Sequence, residues 1–91
     1  MTTGIRTYFD RYKELKETYK IRRSAHGLTN DQFNEYDVVV ECCGHGYAHT
    51  KYRVLRNAPG LSTLDLAVIC DEGNLCFGYR SEGSVICVYI D

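Results

Sequence analysis

The chain has 91 residues, 44% of them apolar and 25% charged, with a formal net charge of -1. That describes one domain without room for a second, and a core this small hides only about 60–65% of the unfolded surface, leaving little for a deep substrate pocket. No apolar run reaches the roughly 18 residues of a membrane span, and the opening Met1-Thr2-Thr3-Gly4-Ile5-Arg6 lacks an apolar signal region, which predicts a cytoplasmic protein.

Ile5, Tyr8, Tyr12, Leu15 and Tyr19 recur at steps of three and four with Phe9 beside them, so the pattern predicts an amphipathic helix from Ile5 to Arg22. Its opposite side carries Arg6, Asp10, Lys13, Glu17 and Lys20, a solvated face with pairs four residues apart. Ser24-Ala25-His26-Gly27 ends it, since glycine accepts the left-handed conformation of helix termini. Thr29-Asn30-Asp31-Gln32 fits a capping box, and Leu28 with Phe33 completes a hydrophobic staple. A short second helix is expected over Asn30–Tyr36.

From Asp37 the period becomes two. Turn signals at Gly44–Gly46, Asn57–Gly60, Asp71–Asn74 and Ser81–Ser84 divide the remainder into strands Val38–Cys43, Tyr47–Leu55, Thr63–Cys70, Leu75–Arg80 and Val85–Ile90. Hairpin register would set Cys43 against Tyr47, Cys70 against Leu75 and Arg80 against Val85. One face then collects Val38, Val40, Cys42, Ala48, Tyr52 and Val54, and, further on, Leu64, Leu66, Val68, Cys70, Leu75, Phe77, Tyr79, Ile86, Val88 and Ile90. No charge falls on it. The expected fold is α+β over residues 1–91, the tyrosine-rich helix and the short second helix packed on one face of an antiparallel sheet of about five strands.

Four chemistries compete for the remaining residues. Cys42, Cys43, His45, His49, Cys70, Cys76 and Cys87 resemble a zinc inventory, but no paired Cys-x2-4-Cys knuckle is present; Cys43, His45 and His49 could meet at the first hairpin, one ligand short. The cysteines read instead as small apolar residues of a reduced protein, and Cys76 and Cys87 sit diagonally, outside bridge geometry. Cys43 and His49 share a face with Glu41 across from His49, the residue types of a nucleophile, a base and an orienting carboxylate; cross-strand Glu–His contacts are equally ordinary on sheet surfaces. Tyr47, His49, Lys51 and Arg53 alternate on one face and could stack bases and meet phosphates. Against that, residues 1–23 hold seven Lys/Arg and three Asp/Glu, and residues 24–91 four and nine, so the sheet body is acidic where a phosphate footprint should be basic. The fourth feature is the second sheet face, with Asp65, Ala67, Ile69, Cys76, Gly78, Arg80, Val85, Cys87 and Tyr89, half apolar and small-sided, a contact patch unless something covers it.

The reading this leaves is a non-enzymatic module that binds another protein, with no catalytic residues, no cofactor, no metal and no membrane contact; the weaker alternatives are a nucleic-acid-binding sheet surface using Tyr47, Lys51 and Arg53, and a small zinc-binding protein. Acidic Asp31, Glu35, Asp71 and Glu72, with Asp37 and Glu82, form a rim that could dock on a basic groove, and Tyr47 and Tyr89 supply rigid contacts with polar tips. In size, acidity and lack of catalytic motifs the chain is similar to small inhibitors that phages and mobile elements make against host defence machinery, such as anti-CRISPR proteins. That likeness implies steric block or acidic charge mimicry of nucleic acid and carries no residues over. A homodimer through the half-apolar face or an unpaired edge strand is compatible with the same pattern.

Overall fold

The computed structural model describes residues 5–46, 49–75 and 78–89. Helix α1 is Ile5–Thr18, followed by strand β1 (Ile21–Arg22), helix α2 (Asn30–Glu35), strands β2 (Val38–Gly46) and β3 (His49–Arg56), helix α3 (Thr63–Cys70), and strands β4 (Gly78–Glu82) and β5 (Val85–Tyr89). The five strands form one sheet in the order β1-β2-β3-β5-β4; β1 runs parallel to β2, and the other pairs are antiparallel. The domain is α+β, with the helices α1 and α3 against one sheet face.

That face is the one the alternation marks. Val38, Val40, Ile86 and Val88 are buried in the core with Tyr12 and Leu15 of α1 and Leu66–Cys70 of α3, and Tyr52, Val54 and Tyr79 pack beside them. Burying these side chains supplies roughly 1.5–3 kcal/mol each for the larger ones. Ala48, Phe77 and Ile90, expected on the same face, lie outside the described residues.

α1 stops four residues before the predicted Arg22. The Thr18 hydroxyl turns back onto the Glu14 carbonyl at 3.0 Å, a bond that loosens a helix interior. Lys20 then finds sheet partners: its amide donates to Asp37 Oδ2 at 2.8 Å, and its carbonyl accepts from the Asp37 and Val38 amides. Ile21 thereby joins the core as part of β1. The short second helix forms as expected, with the Gln32 amide donating to Thr29 Oγ1 at 3.2 Å and the Thr29 amide donating to Gln32 Oε1 at 3.0 Å.

Thr63–Cys70 is a helix rather than the predicted strand. Ser62 caps it, its hydroxyl accepting from the Asp65 amide at 3.1 Å. Its other end closes with the Gly73 amide on Val68 O at 2.9 Å and the Glu72 amide on Ile69 O at 3.3 Å, while Glu72 and Gly73 adopt φ of 54° and 77°. This is a Schellman motif, so the Asp71–Asn74 turn signal is a helix terminus rather than a hairpin, and Cys70 does not face Leu75. Because the helix buries residues on every side, its apolar run carries no helical period to distinguish it from a buried strand.

Two registers also shift. Gly44–Gly46 is not a turn but the end of β2, with a bulge between Cys42 and Gly44; pairing runs Cys42↔Tyr52, Gly44↔Lys51 and Gly46↔His49, so Cys43 falls in the bulge, and Tyr47, its expected partner, lies outside the described residues. The last hairpin turns on Gly83-Ser84, pairing Glu82 with Val85 and Arg80 with Cys87. A slip of two residues leaves every side chain on its predicted face, which is why Tyr79 still joins the core. Of the predicted strand Leu75–Arg80, Gly78–Arg80 belong to β4, which runs on to Glu82, and Cys76 and Phe77 lie outside the described residues.

Candidate functional site

Since α1 and α3 pack on one face, the other face of the sheet lies open. Register assigns to it Arg22 of β1, Val39 and Glu41 of β2, His49, Lys51 and Arg53 of β3, Val85, Cys87 and Tyr89 of β5, and Gly78, Arg80 and Glu82 of β4. α2 meets only one corner. Arg56, set beside Val39 by a bulge, donates to Tyr36 O at 2.7 Å and lies over the Phe33 ring, its guanidinium carbon 5.9 Å from the centroid.

One end of the face, where β3 begins and β5 ends, is aromatic. His49 and Tyr89 are cross-strand partners with ring centroids 5.0 Å apart, tilted by 52°, and Arg80 lies over the same tyrosine at 5.8 Å. Arginine above an aromatic face gains about 0.5–1 kcal/mol at an exposed site, a modest bias toward this arrangement. The same face carries the cations Arg22, Lys51, Arg53 and Arg80 and the carboxylates Glu41 and Glu82. Two of the cations are met within the face: Arg80 pairs with Glu82 at 2.9 Å, and Arg53 approaches Glu41 at 3.9 Å. The surface is therefore mixed, with a modest cationic excess in a chain whose net charge is negative. Cys87, fully buried, lies between Lys51 and Arg80 in register; long basic stems cover small apolar neighbours while their heads stay in water.

The Cys43, His49 and Glu41 arrangement does not assemble. Glu41 stands opposite Arg53, not His49, and His49 is engaged with Tyr89. Cys42 and Cys43 are exposed, whereas Cys70 and Cys87 are buried, and all four are free thiols. Burial in the core pushes the Cys70 thiol up to about 12, which makes it inert. Among the described residues no three His, Cys, Asp or Glu side chains converge as a metal site; Cys76, and the side chain of His45, lie outside what is described.

The acidic rim is divided. Asp31 and Glu35 are exposed on α2, but Glu72 is held by Arg23, and Asp71 is half-buried at the end of α3, where burial pushes its carboxyl above the ordinary value against the pull of Arg23. Arg23 is a structural clamp: Nε donates to Ile69 O at 3.1 Å, and the other nitrogens reach Cys70 O and Glu72. Of the two tyrosine candidates, Tyr89 sits on the open face, and Tyr47 lies outside the described residues.

A cavity of about 350 Å³ opens on the helix side, lined by Val54, Leu66 and Ile86 with Asn57, Thr63, Ser81, Gly83 and Ser84. Its polar groups are neutral hydroxyls and an amide, and no titratable base stands among them to activate a hydroxyl. What sequence reasoning missed is that the basic alternation of β3 and the half-apolar face of β4–β5 are one continuous surface. The Ser62–Asp65 cap was the available signal, because recognising α3 removes the intervening strand and leaves β5 free to pair with β3. Comparison with models of protein families, with curated proteins and with solved structures gives no match to this chain.

Proposed function

We propose that the chain is a non-enzymatic module that holds another protein against its open sheet face. The observation that supports this is the one-sided packing of the sheet, which leaves the His49–Tyr89 stack at one end of a mixed-charge surface. Aromatic and arginine anchors within a polar surround are the composition of protein-contact surfaces. A phosphate backbone would meet Glu41 and Glu82 within the same face, a poorer match than a protein surface with charges of both signs. Use as an inhibitor, as the likeness to small phage proteins implies, follows through steric occupation of a partner's surface; a charge-mimicking contribution falls to Asp31 and Glu35, the two exposed rim carboxylates on α2.

Affinity capture with the wild-type chain, a Lys51→Glu/Tyr89→Ala variant and an Asp31→Lys/Glu35→Lys variant tests the assignment. A protein retained by the first and third and lost by the second is the expected outcome; loss only with the α2 variant moves the contact to the acidic rim. Fluorescence anisotropy with a labelled uridine oligonucleotide at low salt addresses the alternative, for which the aromatic pair beside Lys51 is the favouring observation. Binding that weakens steeply with salt and disappears with Lys51→Glu overturns the protein reading.

A further inference from the structure

The sheet ends at β4, where Arg80, Ser81 and Glu82 are exposed. The phase of its main-chain hydrogen bonds follows from its neighbours. The Val54 amide donates to Ser84 O at 2.8 Å, which makes Arg53↔Val85 a non-hydrogen-bonded pair. Val85 therefore turns its N–H and C=O toward β4, onto Glu82. By alternation Gly78, Arg80 and Glu82 spend their main-chain groups on β5, while Tyr79 and Ser81 aim theirs out of the sheet.

We propose that this edge pairs antiparallel with the same edge of a second copy of the chain, about a two-fold axis at Ser81. Ser81 then exchanges both main-chain hydrogen bonds with the partner's Ser81. In the same register Arg80 stands opposite the partner's Glu82, and Glu82 opposite the partner's Arg80, in non-hydrogen-bonded positions where cross-strand side chains come closest. An axis at Arg80 or at Glu82 keeps the outward groups in phase but sets like charges face to face, and an axis between two residues puts the outward groups out of phase. An axis at Tyr79 leaves Arg80 opposite Gly78, with no counter-charge. Hydrogen-bond phase and charge thus select one register, as a closed two-fold interface requires of a single patch that must complement itself. The two sheets continue into one another, and their open faces lie side by side. This inference does not depend on the protein-binding reading above.

Sedimentation equilibrium of the full chain, from low micromolar to near-millimolar concentration, reads the association. Arg80→Glu and Glu82→Arg each place like charges in register and should weaken self-association by about tenfold or more, whereas an equal mixture of the two variants should associate as well as the wild type, since two carboxylates then meet two guanidinium groups. Ser81→Pro removes an outward N–H that bonds nothing in β5, and edge strands admit proline; it should give a monomer with an unchanged circular dichroism spectrum. A wild-type chain that is monomeric throughout, or a mixture that associates no better than its components, overturns the proposal.

Discussion

Gly73→Ala is the substitution for which the structure sets the sharpest expectation. Gly73 has φ of +77°, and a Cβ there would lie 2.6 Å from Phe9 Cα, 2.9 Å from Tyr12 Cβ and 3.0 Å from Tyr8 O. The left-handed backbone alone costs an alanine about 1–2 kcal/mol. Overlap with the backbone of α1, which cannot rotate aside as a side-chain tip can, adds about 1–3 kcal/mol. The combined loss of about 2–5 kcal/mol is a large share of the roughly 5–14 kcal/mol expected for a chain this long. Gly27 provides the control, because it has the same φ of +77° with no heavy atom within 4 Å of its Cβ position. Urea denaturation followed by circular dichroism should therefore show Gly73→Ala less stable than Gly27→Ala by about 1–3 kcal/mol, the steric part alone. Equal losses would refute the close packing of the α3–β4 connection on α1.

Arg23→Ala should cost about 2–3 kcal/mol, or roughly 8–24 °C in Tm, by leaving the Ile69 and Cys70 carbonyls without their charged donor, while Glu72→Gln, which removes only the half-exposed ion pair, should cost under about 1 kcal/mol; thermal melts of the two variants side by side check the ranking. The Arg11 guanidinium, at 3.0 and 3.1 Å from the two oxygens of Asp65, holds that carboxyl below its ordinary value of 3.8. Its stabilisation is therefore complete above pH 3.8 and fades as pH falls through the depressed value, so Asp65→Asn should flatten the acid limb of a stability–pH curve. Asp71 has the opposite sign, since its raised carboxyl is easier to ionise once unfolded, and Asp71→Asn should increase stability at neutral pH. Iodoacetamide labelling of the native chain at pH 8 should modify Cys42 and Cys43 and spare Cys70 and Cys87 until urea exposes them, as mass spectrometry of peptides would report.

The elements that could be read from the sequence are those whose signal is local and has no rival. Thr29 and Gln32 form the capping box their spacing announces, and the alternation through Val38, Val40, Tyr52, Val54, Ile86 and Val88 identifies the buried sheet face even where a hairpin slips by two residues. Ambiguity decided the misses. Leu66–Cys70 is apolar on every side and fits a buried strand as well as a buried helix, and Gly73 marks a helix terminus as readily as a hairpin. Gly44 and Gly46 suggest a turn, yet the chain uses this segment for a bulged strand end. Ile21–Arg22 is too short to display any period; it becomes a strand only because Asp37 and Val38 fold back onto Lys20. The open face escaped for the same reason as α3, because a strand supposed to lie between β3 and β5 would have split it in two.

The position of β5 has a consequence for how the chain reaches this structure. It is the last strand in sequence order among those described, yet it lies between β3 and β4. A ribosome-bound chain that ends before Val85 can form α1, α2 and the β2–β3 hairpin, but β3 then presents a bare edge and the core lacks Ile86 and Val88. Synthesis proceeds at about 5–20 residues per second, so the intermediate persists for far longer than a hairpin takes to form, on the order of microseconds. The same central strand that joins the two halves of the sheet makes folding a late, all-or-none event, with β3 the segment most in need of protection until β5 arrives.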